Sequence, residues 1–381
     1  MNALRILDQG VLYRNPHPGH RAIIAYAPCV QPLSGKELIC VFRYGQAMYS
    51  RDGMIHQLRS NDGGETWEHE GPIRDRFRDD SHYNYRGAQI TMLHDGSLVM
   101  KVNRAEHSDP DHFYFNQETG GISHCQTLYL RSFDGGRTWS DPPQASLPPL
   151  PSGLEPAADG PAIVLEDGNW MQIFETWKSY DNAGPHLNKT FALFSSDAGK
   201  NWGDWVDVAD GTAEDRSYSH GSFIRLSNGR LLGSLWTGNL AMTQFFDLHF
   251  VTSLDASGRT WSRPRASKIP GQTSGLVEMG AGRLVLVYSH RENTDQPGIK
   301  LIFSEDGGET WSQDPVVVWD AYGKEALGVP RTDRYPSSHD VIAYGAPQII
   351  GLAANELMVS FWCTQSGDTH ARYCRLRLEG D

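Results

Sequence analysis

SNDGGETW (60–67), SFDGGRTW (132–139), SSDAGKNW (195–202), SLDASGRTW (253–261) and SEDGGETW (304–311) are five copies of one short pattern, the fourth a residue longer than the rest. Self-similarity at intervals of several tens of residues marks a repeat architecture, in which each unit buries its apolar face against its neighbours. In each copy the Asp side chain suits a tight turn, because it accepts bonds from backbone amides two or three residues on. The glycines take left-handed conformations, and the Trp is free to pack between adjacent sheets. The boxes are therefore expected to stabilise the fold and to contribute nothing to catalysis.

Upstream of each box the same grammar recurs. Blade two reads AQITML, HDG, SLVMKV, then TLYLRSFDGGRTW; blade four reads GSFIRL, SNG, RLLGSLW, then LHFVTSLDASGRTW. Period-two apolar runs split by Asp-Gly or Asn-Gly turns are antiparallel strands joined by hairpins. Turn centres near Gly35, Gly96, Gly168, Gly229, Gly282 and Asn355 count six units. The sixth supplies three strands before the chain ends, so the N-terminal stretch LRILDQGVLY is expected to complete it and close the ring. The reading is an all-β chain: a six-bladed β-propeller of four-stranded antiparallel blades, one domain over 1–381, with very little helix.

Composition bounds the partners. The net charge is -12 and the 34 Lys and Arg residues are scattered, so a nucleic-acid footprint is absent. No apolar run matches a signal peptide or a membrane span, so the chain as given reads as soluble and cytoplasmic. Five cysteines (Cys29, Cys40, Cys125, Cys363, Cys374) without CxxC spacing fit reduced core thiols. His107, Asp109, Asp111 and His112 in EHSDPDHF carry ligand-type side chains without a recognised spacing, in an insertion that reads as a solvent loop. Neither a metal nor a cofactor is expected.

Five boxes in register on a six-unit meander resemble the sialidase (neuraminidase) superfamily, whose repeats are called Asp-boxes or BNR repeats. The resemblance implies a carbohydrate substrate, an arginine triad around its carboxylate, an acidic acid/base in the first blade and a Tyr/Glu nucleophilic pair. Asp52 in YSRDGMIHQLRS is the positional match for the acid/base. The first family arginine is missing at Tyr26-Ala27-Pro28, His220 stands where the glutamate would fall, and Trp236 replaces a second arginine. Arg291 lies near the late arginine and Tyr344 near the nucleophilic tyrosine, each out of register. The scaffold matches while the sialic-acid site mostly does not.

The ring itself suggests a site. In a propeller the first strand of each blade lines the axis, and ligands meet the loops on one face. Inner-strand starts give Tyr26, Arg86, Asp159, His220, Thr273 and Tyr344; second-strand ends give Arg43, Arg104, Glu175, Trp236, Arg291 and Trp362. Arg43, Arg86 and Arg291 are the candidate anion clamp, and Tyr26, Trp236 and Trp362 are candidate stacking surfaces. Asp52, Asp159 and Glu175 are the candidate acids for glycoside hydrolysis.

Three functions follow. The first is hydrolysis of a terminal acidic sugar by a sialidase-like glycosidase that is not a standard sialidase. The second is elimination from a uronic acid with His220 as base and Tyr344 as acid, and the third is a noncatalytic glycan-binding propeller. A homo-oligomer is compatible with all three. The segment from Asp320 to Asp340 reads as a lid or a subunit contact.

Overall fold

The computed structural model describes residues 3–74, 82–109, 111–141, 145–280, 282–291, 294–321 and 342–379. Most of the 320–340 segment read as a lid lies outside these described residues. The described residues contain no α-helix, only a short 3-10 turn at Thr212–Glu214.

The strands form six sheets around one axis. Blade one is β2 (Ile24–Pro32), β3 (Leu38–Gly45), β4 (Met54–Ser60) and β5 (Glu68–Pro72). Blade two is β6 (Tyr83–Met92), β7 (Leu98–Glu106) and β8 (Cys125–Ser132). Blade three is β9 (Leu154–Val164), β10 (Trp170–Lys178), β11 (Thr190–Ser195) and β12 (Gly203–Ala209). Blade four is β13 (Ser217–Arg225), β14 (Leu231–Gly238), β15 (Phe245–Thr252) and β16 (Arg265–Ala266). Blade five is β17 (Ser274–Glu278), β18 (Leu284–His290), β19 (Gly298–Ser304) and β20 (Val316–Asp320). Blade six is β21 (Tyr344–Ala353), β22 (Glu356–Gln365) and β23 (Asp368–Glu379), completed by β1 (Ala3–Tyr13). Among the described residues blade two has three strands, whereas the repeat grammar gives it four. The expected closure is present: β1 runs antiparallel to β23, from Ala3 opposite Glu379 to Tyr13 opposite Ala371.

The boxes do what their chemistry dictates. Ser60 donates to Asp62 Oδ1 at 2.8 Å and accepts from the Gly64 amide at 2.8 Å, while Asp62 Oδ1 accepts from the Thr66 amide at 3.0 Å. The same Ser hydroxyl takes the amides of Gly136, Gly199 and Gly308 in the second, third and fifth boxes. Each Trp then packs on the preceding blade. Trp202 lies 5.1 Å from Tyr129 of β8, and Trp311 stacks 5.1 Å from Phe250 of β15. Trp67 joins the core that holds Leu12 of β1 and Met358 of β22, so the first box spans the closure.

All five cysteines are buried thiols, as their spacing suggests. Most of EHSDPDHF is exposed, as a solvent loop would be, but the insertion that holds it is anchored further along. After β7 it crosses to blade three, where Ile122 pairs in parallel with Ser179 and the Ile122 amide donates to the Lys178 carbonyl at 2.9 Å. Gly121 is obligatory at this crossing, because a Cβ there would sit 2.2 Å from the Ser179 carbonyl oxygen. Tyr114 and Phe115, just after EHSDPDHF, are buried, and their burial pulls this part of the insertion onto the ring, whereas Phe113 is exposed.

Trp202→Ala should remove interblade packing and destabilise the protein by about 3–5 kcal/mol, the usual cost of deleting a buried Trp. Urea unfolding reads this directly, and a loss below about 1 kcal/mol would show that the box tryptophans do not lock the blades.

Candidate active site

A cavity of about 430 Å³ follows the axis, and all six inner strands contribute to its wall. Its polar end combines inner-strand starts with second-strand ends: Tyr26, Arg86, Asp159, His220 and Thr273 with Glu175, Trp236, Arg291 and Trp362. The far end is apolar, with Val30, Ile90, Ile224, Leu276 and Ile349.

A backbone irregularity aims the polar residues. In blades one, two, three, four and six the ladder between the first two strands slips at the cavity end. At four of these slips, all but that of blade two, one residue has positive φ: Ala27 (50°), Gly160 (61°), His220 (47°) and Ala346 (45°). Each is followed by Pro or Gly, namely Pro28, Pro161, Gly221 and Pro347. Bulges re-aim side chains, and Pro is tolerated there because the ladder bond is already broken. His220 is the ionisable member of this set, and a non-glycine residue held in this region carries about 1–3 kcal/mol of strain that its surroundings must offset.

The surroundings are two carboxylates. On the β9–β10 ladder Asp159 is opposite Ile173 and Glu175 opposite Ala157, so the two acids are diagonal neighbours on one face. The Glu175 carboxylate accepts the His220 amide at 3.3 Å, and the Asp159 carboxylate accepts the Gly221 amide at 3.1 Å. His220 Nδ1 lies 3.5 Å from Glu175 Oε1 and 3.9 Å from Asp159 Oδ1. Glu175 sits at the base, its side chain 2% exposed, while the His220 side chain is 39% exposed and faces the cavity. The His220 ring stacks 5.6 Å from Trp236, and Arg291 lies 5.2 Å from the same indole.

Electrostatics follow from burial. Desolvation, then the charge of Asp159, pushes the Glu175 carboxyl well above the usual carboxylate range, against the opposing pull of His220. Burial disfavours a charged His220, yet Glu175 and Asp159 outweigh it and raise the imidazole. Glu175 and His220 therefore share protons as a coupled pair beside Asp159. One ligand atom from each lies within 4.8 Å of the others, which is the grouping among the described residues able to hold a cation.

Several sequence candidates fall elsewhere. Arg43 is fully buried and is absent from the cavity wall. Its guanidinium donates to the carbonyls of Ala47 (3.0 Å), Met48 (2.8 Å) and Ser50 (2.8 Å), and to Asn84 Oδ1 at 3.2 Å and the Tyr85 carbonyl. It fills the space where a Cβ on Gly53 would lie, so it builds the loop and is no ligand. Asp52 caps that loop by accepting the Gln46 amide at 3.1 Å, and it too is absent from the wall. The Tyr344 hydroxyl donates to the His290 carbonyl at 2.6 Å, so the structure does not bring it to His220. The three arginines do not converge as a clamp: Arg86 is held over Tyr114 and Tyr49, and Arg291 Nη1 donates to the Tyr344 carbonyl at 2.9 Å. Tyr26 and Trp362 do face the cavity, their rings 4.7 Å apart.

Other wall residues escaped the sequence reading. Tyr114 and Phe115 reach the cavity from the blade-two insertion, beside Tyr49 of blade one and Trp177 of β10. No local pattern announces the first two. The bulges, by contrast, leave a trace in the Pro or Gly that follows each one.

Both shifts in the cluster are upward, so above the ordinary carboxylate range the folded state binds more protons than the unfolded chain. The associated stability is complete at low pH and is lost as pH rises. The thermal midpoint should therefore fall between about pH 5 and about pH 9, and Glu175→Gln should flatten that fall. Calorimetry across this range checks it; an unchanged slope in the variant would contradict the assignment.

Among solved structures the chain is similar to a protein of unknown function from Dyadobacter fermentans, at 19% identity over 99% of both chains with a TM-score of 0.75. It is also similar to an α-L-arabinofuranosidase from Fusarium graminearum, at 14% identity over 98% of each chain with a TM-score of 0.64. A Hadza microbial sialidase aligns at 16% identity, over 95% of this chain and 68% of that one, with a TM-score of 0.65. No curated protein matches the sequence. At such identities the likeness establishes the propeller and nothing finer. The family model of the BNR repeat-like domain matches residues 112–326, more than half the chain, and the protein belongs to that family.

Proposed function

We propose that this propeller is a glycoside hydrolase that cleaves a terminal sugar held in the central cavity, with Glu175 as proton donor and Asp159 as its carboxylate partner. The observation that carries this reading is the pair itself: two carboxyls on one ladder face, one pushed toward its protonated form by burial and the other, 13% exposed, beside it at the cavity wall. Environments that push two carboxyls apart mark an acid and its partner. Glu175 gives its proton to the glycosidic oxygen as the bond to the anomeric carbon breaks. Asp159 bonds to that carbon as the leaving group departs, and water, giving its proton to the Glu175 carboxylate, then displaces Asp159 and completes hydrolysis. Oxygens of the two groups lie within 4.8 Å, near the roughly 5–5.5 Å spacing of retaining enzymes and below the roughly 6.5–9.5 Å of inverting ones. Trp236, Trp362 and Tyr26 offer faces for the ring, and Arg86 and Arg291 favour an acidic substituent.

The neighbours support this choice of chemistry by analogy. A sialidase and an α-L-arabinofuranosidase share the scaffold, and both act on glycosidic bonds by name. Elimination loses support, because a general base must be free of its proton and the two acids favour the protonated His220.

Incubation with sialosides, ulosonic acids, uronic-acid oligosaccharides and arabinofuranosides in 18O-labelled water tests the reading by mass spectrometry. The expected product carries 18O at the released anomeric carbon. Glu175→Gln should lower kcat by about 10²–10⁴-fold, the usual worth of a positioned proton donor, while Asp52→Asn should leave it within about twofold. An unsaturated product without 18O would sink hydrolysis in favour of elimination; retained ligand without turnover would leave a binding module.

A further inference from the structure

Lys101 lies in the middle of β7, in the blade next to the acidic pair, and is 1% exposed. A buried ammonium is costly unless something holds it. Among the described residues its Nζ makes no ion pair within 4 Å of a carboxylate; it donates instead to the Ala158 carbonyl at 2.9 Å. Asn103, two residues along the same strand and on the same face, donates to that carbonyl at 2.8 Å. Ala158 immediately precedes Asp159, and the next residue is Gly160 of the bulge. Two donors from blade two therefore grip the peptide that aims Asp159 into the cavity.

The charge of Lys101 has targets as well as the hydrogen bond. The groups that face it electrostatically are Asp159 on β9, Cys29 on β2 and Glu175 on β10, with Asp159 the strongest of the three. A low-dielectric interior screens such an interaction weakly. His220 acts on the same acids from the other side, and Arg291 in turn acts on His220.

We propose that Lys101 is a positioning residue for the acidic cluster: with Asn103 it fixes the Ala158–Gly160 backbone that presents Asp159, and alone it supplies the buried positive charge that the two carboxyls face. The roles of the two donors are thus different, since Asn103 gives geometry without charge. The proposal deepens the hydrolase reading but rests on geometry that stands without it.

Carboxyl titrations followed by 13C NMR in the intact protein separate the two. Lys101→Met, of similar length and without charge, should move the Asp159 and Glu175 titrations upward by about one pH unit or more, while Asn103→Ala should leave them near wild type. Equal shifts in both variants, or none in a folded Lys101→Met, would overturn the proposal. If Lys101→Met does not fold, the reciprocal measurement applies: in Asp159→Asn the Lys101 ε-carbon should titrate at lower pH than in wild type, and an unmoved titration refutes the pairing. These shifts in a protein that turns over no glycoside would support the role of Lys101 while removing the hydrolase reading.

Discussion

The contact between each box tryptophan and the blade before it is the constraint on which the ring depends. A single four-stranded sheet cannot bury both of its faces, and it leaves two edges open. In four of the five boxes Ser and Asp together satisfy the turn amides, and in the fourth Asp255 does so alone, which fixes the Trp at the outer corner of its blade. From that corner it reaches the preceding sheet, as Trp202 does to Tyr129 and Trp311 to Phe250. The first box has no earlier blade in sequence, and Trp67 therefore meets the closure, where β1 and β22 contribute to one core. Blade six lacks a box and is held instead by the β1–β23 ladder.

With the outside locked, the inside is free to be irregular. The inner strands give up regular pairing at their cavity ends, and the slip recurs in five blades, with positive φ in four of them. Backbone strain of this kind persists only when surrounding structure over-determines it. At Ala27, Gly160 and Ala346 the bulge carries a small residue or none, whereas blade four places His220 there. The ring thus uses one backbone device repeatedly and equips it with an ionisable group twice, Arg86 in blade two and His220 in blade four.

The chemistry of that corner is decided by charge in a small space. Glu175 and Asp159 lie on neighbouring strands, and burial makes two negative charges there unfavourable. Protonation of Glu175, the imidazole of His220 and the ammonium of Lys101 each relieve the repulsion from a different side. Two of these partners come from other blades, so the electrostatic state of the site is a property of the assembled ring.

What the sequence determined by itself was everything that repeats locally. Five boxes and six hairpin turns specify the blades and their count, because each is a short-range pattern whose hydrogen bonds lie within a few residues, and the closure by β1 follows from the strand the sixth unit lacks. The ring positions of Asp159, Glu175, His220 and Trp236 were legible for the same reason, since strand starts and ends can be counted. Side-chain direction was not. Arg43 and Arg86 both stand at ring positions, yet Arg43 turns into the carbonyls of its own loop while Arg86 reaches the cavity. Asp52 looked like an acid/base and became a loop cap, and Tyr344 spends its hydroxyl on the His290 carbonyl. Tyr114 and Phe115 came from an insertion that composition marks as solvent-exposed. Only the tertiary structure decided these, because which way a polar side chain turns depends on which unsatisfied backbone groups from distant segments surround it, and no local pattern encodes that neighbourhood.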